Sequence, residues 1–221
     1  MSRWEIRIAT VIAAMALGLT PTATTAAEQP GLAIASLETL PVKGRAPKTG
    51  YTRDQFGQAW ADVDRNGCDT RNDILKRDLT SVIYKAKTRN CVVLSGTLLD
   101  RYSGESINFI RGNITSMEVQ IDHVVALSNA WQTGAFKLTA EQRKALANDP
   151  MNLFAVKGRL NSQKGDGDAA TWLPPLKSFR CAYVAQQIAV KAKYSLWVVP
   201  PEKAAMLTIL AKCPTQKVPL S

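Results

Sequence analysis

"MEVQIDHVVALSNAW", Met117–Trp131, contains the only histidine in the 221-residue chain, His123. Asp122 precedes it, and apolar residues flank the pair on both sides. "EVQIDHVV" (Glu118–Val125) alternates polar and apolar residues, the period of a strand with one face against a core. A lone imidazole limits the chemistry available. Metal-free phosphodiester cleavage by two histidines needs a second imidazole as the acid, and a three-histidine zinc site is impossible. No G-x-S-x-G turn supports a serine triad. One histidine can act as a general base if another group offsets the negative charge that develops. A divalent cation held by oxygen ligands does this without further imidazoles.

Downstream of His123, "DPMNLFAV" (Asp149–Val156) carries Asn152, and "RLNSQKGD" (Arg159–Asp166) carries Asn161 with Lys164 three residues later. "NLFAV" reads as a short strand. "KGRLNSQKGDGD" begins as a brief helix and is broken by Gly165 and Gly167. "KLTAEQRKALAND" (Lys137–Asp149) is a helix with Thr139 and Gln142 as a capping box, ending before Pro150. Upstream, Asp69 is placed to cap a helix over Asp69–Leu79. "TRDQFGQAWADV" has the spacing of another short helix. "CVVLSGTLLD" (Cys91–Asp100) and "ESINFIRG" (Glu105–Gly112) form a hairpin around "RYSG". The last third reads as two helices, the second opening on proline, where the missing N–H costs little. The fold class is α+β.

The first residues and the cysteines suggest an expected compartment. "MSRWEIR" followed by the apolar "IATVIAAMALGL" (Ile8–Leu19) and small residues predicts a signal peptide over 1–27, cut after Ala27. An uncleaved anchor is the alternative. Residues 28–50, rich in Pro and Gly, are expected to be a loosely ordered lead-in, and residues 51–215 a single domain. The secreted chain is expected to be extracellular or periplasmic, without stable membrane insertion. Its four cysteines, Cys68, Cys91, Cys181 and Cys213, suit two disulfides in an oxidising compartment. Three pairings are open, and pairing within each half of the chain favours Cys68–Cys91 and Cys181–Cys213. Structural zinc fits poorly, because no CxxC pair exists. The formal net charge is +10, of which the leader contributes +1, leaving +9. Such a chain suits a polyanion: nucleic acid or an anionic envelope polymer.

The order Asp122-His123, Asn152, Asn161 resembles the HNH nucleases, whose site is a ββα-metal motif of two strands and a helix. More broadly, "NGCDTRNDIL", "LSGTLLD", "YSGE", "IDHVVALSNAW" and "NLFAV" are similar to exported bacterial HNH endonuclease-family proteins. The resemblance implies a metal-dependent endonuclease acting on DNA, and on RNA as a second substrate class, with low sequence preference. His123 matches the general base, Asp122 and Asn161 the ligands of a divalent cation (Mg²⁺, with Mn²⁺ next), and Asn152 the residue that pins the loop between the strands. Lys157, Arg159 and Lys164 are expected to contact phosphate, and Arg71 to clamp the scissile phosphate. Three departures stand out. Asn161 replaces a common histidine, the CxxC zinc pairs are missing, and Ala126 stands where a proline is frequent.

Asp62–Asp73 supports a separate reading. Asp62, Asp64 and Asn66 at spacing two, then Gly67 and Asp73, imitate a calcium loop. Such a loop would suit a non-catalytic basic binding module. Against it, the twelfth residue is Asp rather than Glu, and the seventh is a cysteine.

Overall fold

The computed structural model describes Met1, residues 31–112 and residues 115–219; the expected signal peptide lies outside the described residues. The chain is mixed α+β. After a short helix α1 (Ala33–Thr39) and a 3-10 turn at Arg53–Phe56 comes helix α2 (Thr70–Asp78). Asp69 caps α2, its side chain accepting from the Asn72 backbone N–H at 2.8 Å. Three antiparallel strands follow in sequential order: β1 (Leu79–Tyr84), β2 (Val93–Leu99) and β3 (Ser106–Ile110). The expected hairpin is β2–β3. Strand β1 and helix α3 (Leu127–Gln132) are elements the sequence patterns did not announce.

The second sheet pairs β4 (Val119–His123) antiparallel with β5 (Leu153–Lys157), His123 facing Leu153 and Asp122 facing Phe154. Helices α3 and α4 (Ala140–Asn148) occupy the connection between them, and α5 (Gly158–Lys164) follows β5 directly. The capping box of α4 forms as expected. At the β5–α5 junction Gly158 lies so close to the backbone that an added Cβ would fall on the Met117 carbonyl oxygen. Only glycine lets the chain turn there.

Both faces of β4–β5 are buried, which fixes where its polar residues must find partners. Val119, Ile121, Leu153 and Ala155 pack with α2 and the three-stranded sheet. Phe154, Val156 and Leu160 pack on the opposite side with Tyr102 and Tyr183. A slip of one residue would exchange these faces, so the register is strongly specified.

Helices α6 (Arg180–Lys193) and α7 (Pro200–Leu210) close the chain. A disulfide joins Cys181 to Cys213 and another joins Cys68 to Cys91. Buried Lys191 on α6 pairs with Glu202 on α7 at 2.8 Å. The lead-in is more structured than its composition suggests. Ala33 and Leu37 of α1 are wholly buried with residues of α6 and α7, and Val42 bridges to Val198. The spacing of Ala33 and Leu37 provides one apolar helical stripe, enough for docking on a preformed helix pair. The segment "TRDQFGQAWADV" forms only the 3-10 turn, because Gly57 takes a positive φ and ends it.

Candidate active site around His123

His123 is the last residue of β4, on the face shared by Val119 and Ile121. Its Nε2 lies 2.9 Å from the Ala147 carbonyl oxygen near the end of α4. A carbonyl can only accept, so Nε2 carries the proton and Nδ1 remains as the ring's acceptor. The Trp60 indole lies nearly parallel to the imidazole, with centroids 6.0 Å apart. Burial pushes the imidazole pKa down to about 4, with lesser contributions from the charges of Arg53 and Lys164. The ring is therefore neutral near pH 7, as a base must be.

Asn152, fully buried, positions this arrangement. Its Oδ1 accepts from the Val125 N–H at 2.8 Å, and its Nδ2 donates to the carbonyls of Val125 and Leu146. Its own carbonyl accepts from Val124. One side chain thus links the residues just after His123 to the turn of α4 that presents Ala147.

Asp122 points to the other face, as strand alternation requires. Its Oδ1 accepts from the Lys164 ammonium at 2.9 Å and its Oδ2 from the Tyr102 hydroxyl at 2.5 Å. Lys164 also donates to the His123 carbonyl at 2.7 Å. Lys164 is 0% and Asp122 4% exposed. Burial, and then the Asp122 charge, holds the Tyr102 hydroxyl well above its ordinary pKa. Asn161 donates to Gln120 at 2.8 Å instead. The oxygens suit a hard cation in kind, yet the Asp122 carboxylate already holds an ammonium and a phenol, and Asn161 is turned to Gln120. As they stand, these residues do not fit a divalent metal, and a cation at Asp122 requires Lys164 to leave.

The other expected residues scatter. Lys164 is an internal partner of Asp122 rather than a surface cation, because helix α5 aims it inward at the strand end. Lys157 pairs with Glu105 at 2.6 Å, while Arg159 is exposed. Arg71 sits near the Val119 carbonyl, its Nη2 3.4 Å away. Val119 is four strand residues, about 13 Å, from His123. Burial, then the nearby Arg111, lowers the Arg71 pKa. Asp62, Asp64 and Asp73 converge on the Asn66 and Gly67 amides. No group of three or more His, Cys, Asp or Glu residues among those described is arranged to hold a metal ion.

The structure adds residues that sequence spacing missed. A cavity of about 100 Å³ opens beside His123, lined among others by Arg53, Gln58, Trp60, Ala147 and Asn148. Asn148 is 1% exposed, and its Oδ1 has no hydrogen-bond partner among the described residues. Nothing in the local pattern near residue 53 or 60 marked a site; they arrive there because Phe56 docks in the core beside Trp131 and Leu146.

A family model for the C-terminal domain of GmrSD restriction endonucleases matches residues 69–209, and the chain belongs to that family. An uncharacterized secreted protein from the fungus Arthroderma benhamiae is 38% identical over 179 residues, spanning 80% of this chain and 82% of the relative. No solved structure matches.

Proposed function

We propose that this member of the family is a secreted endonuclease that hydrolyses phosphodiester bonds in DNA, and in RNA as a second substrate class, with low sequence preference. His123 is its general base, in an HNH-type arrangement. The observation that carries this reading is the imidazole itself. It is neutral, its proton is committed to the Ala147 carbonyl, and its residue lines an open cavity. A water placed at Nδ1 would lose its proton to the ring as its oxygen attacks phosphorus. A base with a pKa of about 4 is weak, but a bound phosphodiester brings a negative charge that raises it toward the working range. The basic composition supports a polyanionic substrate. Two disulfides and the secreted relative support an extracytoplasmic location. Among the described residues no helix is long and apolar enough to cross a membrane.

The test is plasmid cleavage by wild type and by His123→Ala, with and without chelator. Cleavage by wild type, lost in a folded variant that still binds DNA, is the expected result. An active His123→Ala protein refutes the assignment. Loss in chelator with recovery in Mg²⁺ or Mn²⁺ would support the cation implied by the HNH resemblance, and so displacement of Lys164 from Asp122.

A further inference from the structure

We infer that the segment Arg53–Trp60 forms the substrate-binding wall of the His123 cavity, with Arg53 binding the phosphate and Trp60 the adjoining base of one nucleotide. The segment precedes the family match at residues 69–209, so it lies outside the matched domain. Three observations carry it.

Arg53 is exposed, and among the described residues it makes no ion pair or side-chain hydrogen bond, yet it lines the same cavity as His123. The other cations expected at the site are placed elsewhere: Lys164 on Asp122, Lys157 on Glu105, Arg71 near Val119, while exposed Arg159 is not among the residues lining this cavity. Of the residues lining the cavity, Arg53 alone is cationic; Asp54, Gln58 and Asn148 also line it. A guanidinium offers a planar fork matched to phosphate oxygens.

Trp60 gives the cavity an aromatic wall beside the base. Aromatic side chains hold nucleobases by stacking, with little sequence preference. The cavity, about 100 Å³, far exceeds the ~10–15 Å³ that a single water needs.

The inference rests on the nuclease reading for what the nucleotide belongs to, and its test separates the two. A short fluorescein-labelled single-stranded DNA is titrated by anisotropy, in a His123→Ala background that prevents cleavage. Arg53→Gln is compared with Lys212→Gln, which removes one exposed charge in the turn after α7. Arg53→Gln is expected to weaken binding about tenfold or more, and to lower the salt dependence of log Kd by about 0.7. Lys212→Gln is expected to do neither. In the active protein Arg53→Gln raises KM. Trp60→Phe, checked by circular dichroism for folding, narrows the affinity difference between a nucleoside 5′-monophosphate and inorganic phosphate. If Arg53→Gln and Lys212→Gln behave alike, the inference is overturned. If wild type cuts no nucleic acid while Arg53→Gln alone weakens binding, the nuclease reading fails and the binding wall stands.

Discussion

Replacing Lys164 with Met tests the buried group at the end of β4. The ammonium is 0% exposed and contacts Asp122 at 2.9 Å and the His123 carbonyl at 2.7 Å. Methionine fills similar space without charge, so the variant leaves the Asp122 carboxylate buried with the Tyr102 hydroxyl as its one remaining partner of the two. Removing one member of a buried ion pair costs about 3–5 kcal/mol, because the other charge stays desolvated. For a chain of this length each kcal/mol shifts the melting temperature by about 2–4 °C, so the midpoint should fall by about 6–20 °C. Urea unfolding followed by tryptophan fluorescence measures the free energy directly, and a scanning calorimeter gives the midpoint. Adding Asp122→Asn to Lys164→Met should recover part of the loss, since no unpaired charge remains. A single-variant loss below about 1 kcal/mol, or a double variant no better than the single, would refute the claim that this pair is desolvated and mutually dependent.

Other outcomes follow from the same geometry. The unfolded chain binds a proton at His123 below about pH 6.5, whereas the folded chain resists it down to about pH 4. Stability is therefore full above pH 6.5 and falls as pH drops through that window, by up to about 3 kcal/mol; denaturant titrations at several pH values should show this component missing in His123→Gln. Mg²⁺ should leave the wild-type midpoint unchanged while Lys164 holds Asp122, and a rise of several degrees in calorimetry would show that a cation displaces it. Replacing Cys181 and Cys213 with Ala opens a loop of sequence separation 32 and should cost about 3–4 kcal/mol by urea unfolding. Asn152→Ala leaves the Val125 N–H without its side-chain acceptor; a loss of about 1–3 kcal/mol is expected, with cleavage falling alongside because the His123–Ala147 contact loosens.

Elements governed by neighbours in sequence were legible. The capped helix after Asp69, the β2–β3 hairpin, the capping box at Thr139, the β4 alternation and the two final helices all rest on contacts a few residues apart. Strand β1 was not legible, because "LTSVIY" has only Leu79 wholly buried and its pattern matches neither period cleanly. The helix at Ala33 was hidden for a related reason, since a seven-residue helix is stable only once α6 and α7 bury its stripe.

For the site, the sequence by itself determined which chemistry was possible. One imidazole, carboxamides at Asn152 and Asn161 and a basic chain limit the chemistry open to the protein, and four cysteines suit an oxidising compartment. Only the tertiary structure decided how those groups are used. Strand alternation sends Asp122 and His123 to opposite faces, α5 delivers Lys164 rather than Asn161 to Asp122, and a core contact at Phe56 brings Arg53 and Trp60 to the imidazole. These placements depend on burying faces of elements far apart in the chain, and burial depends on the whole packed core rather than on any local spacing.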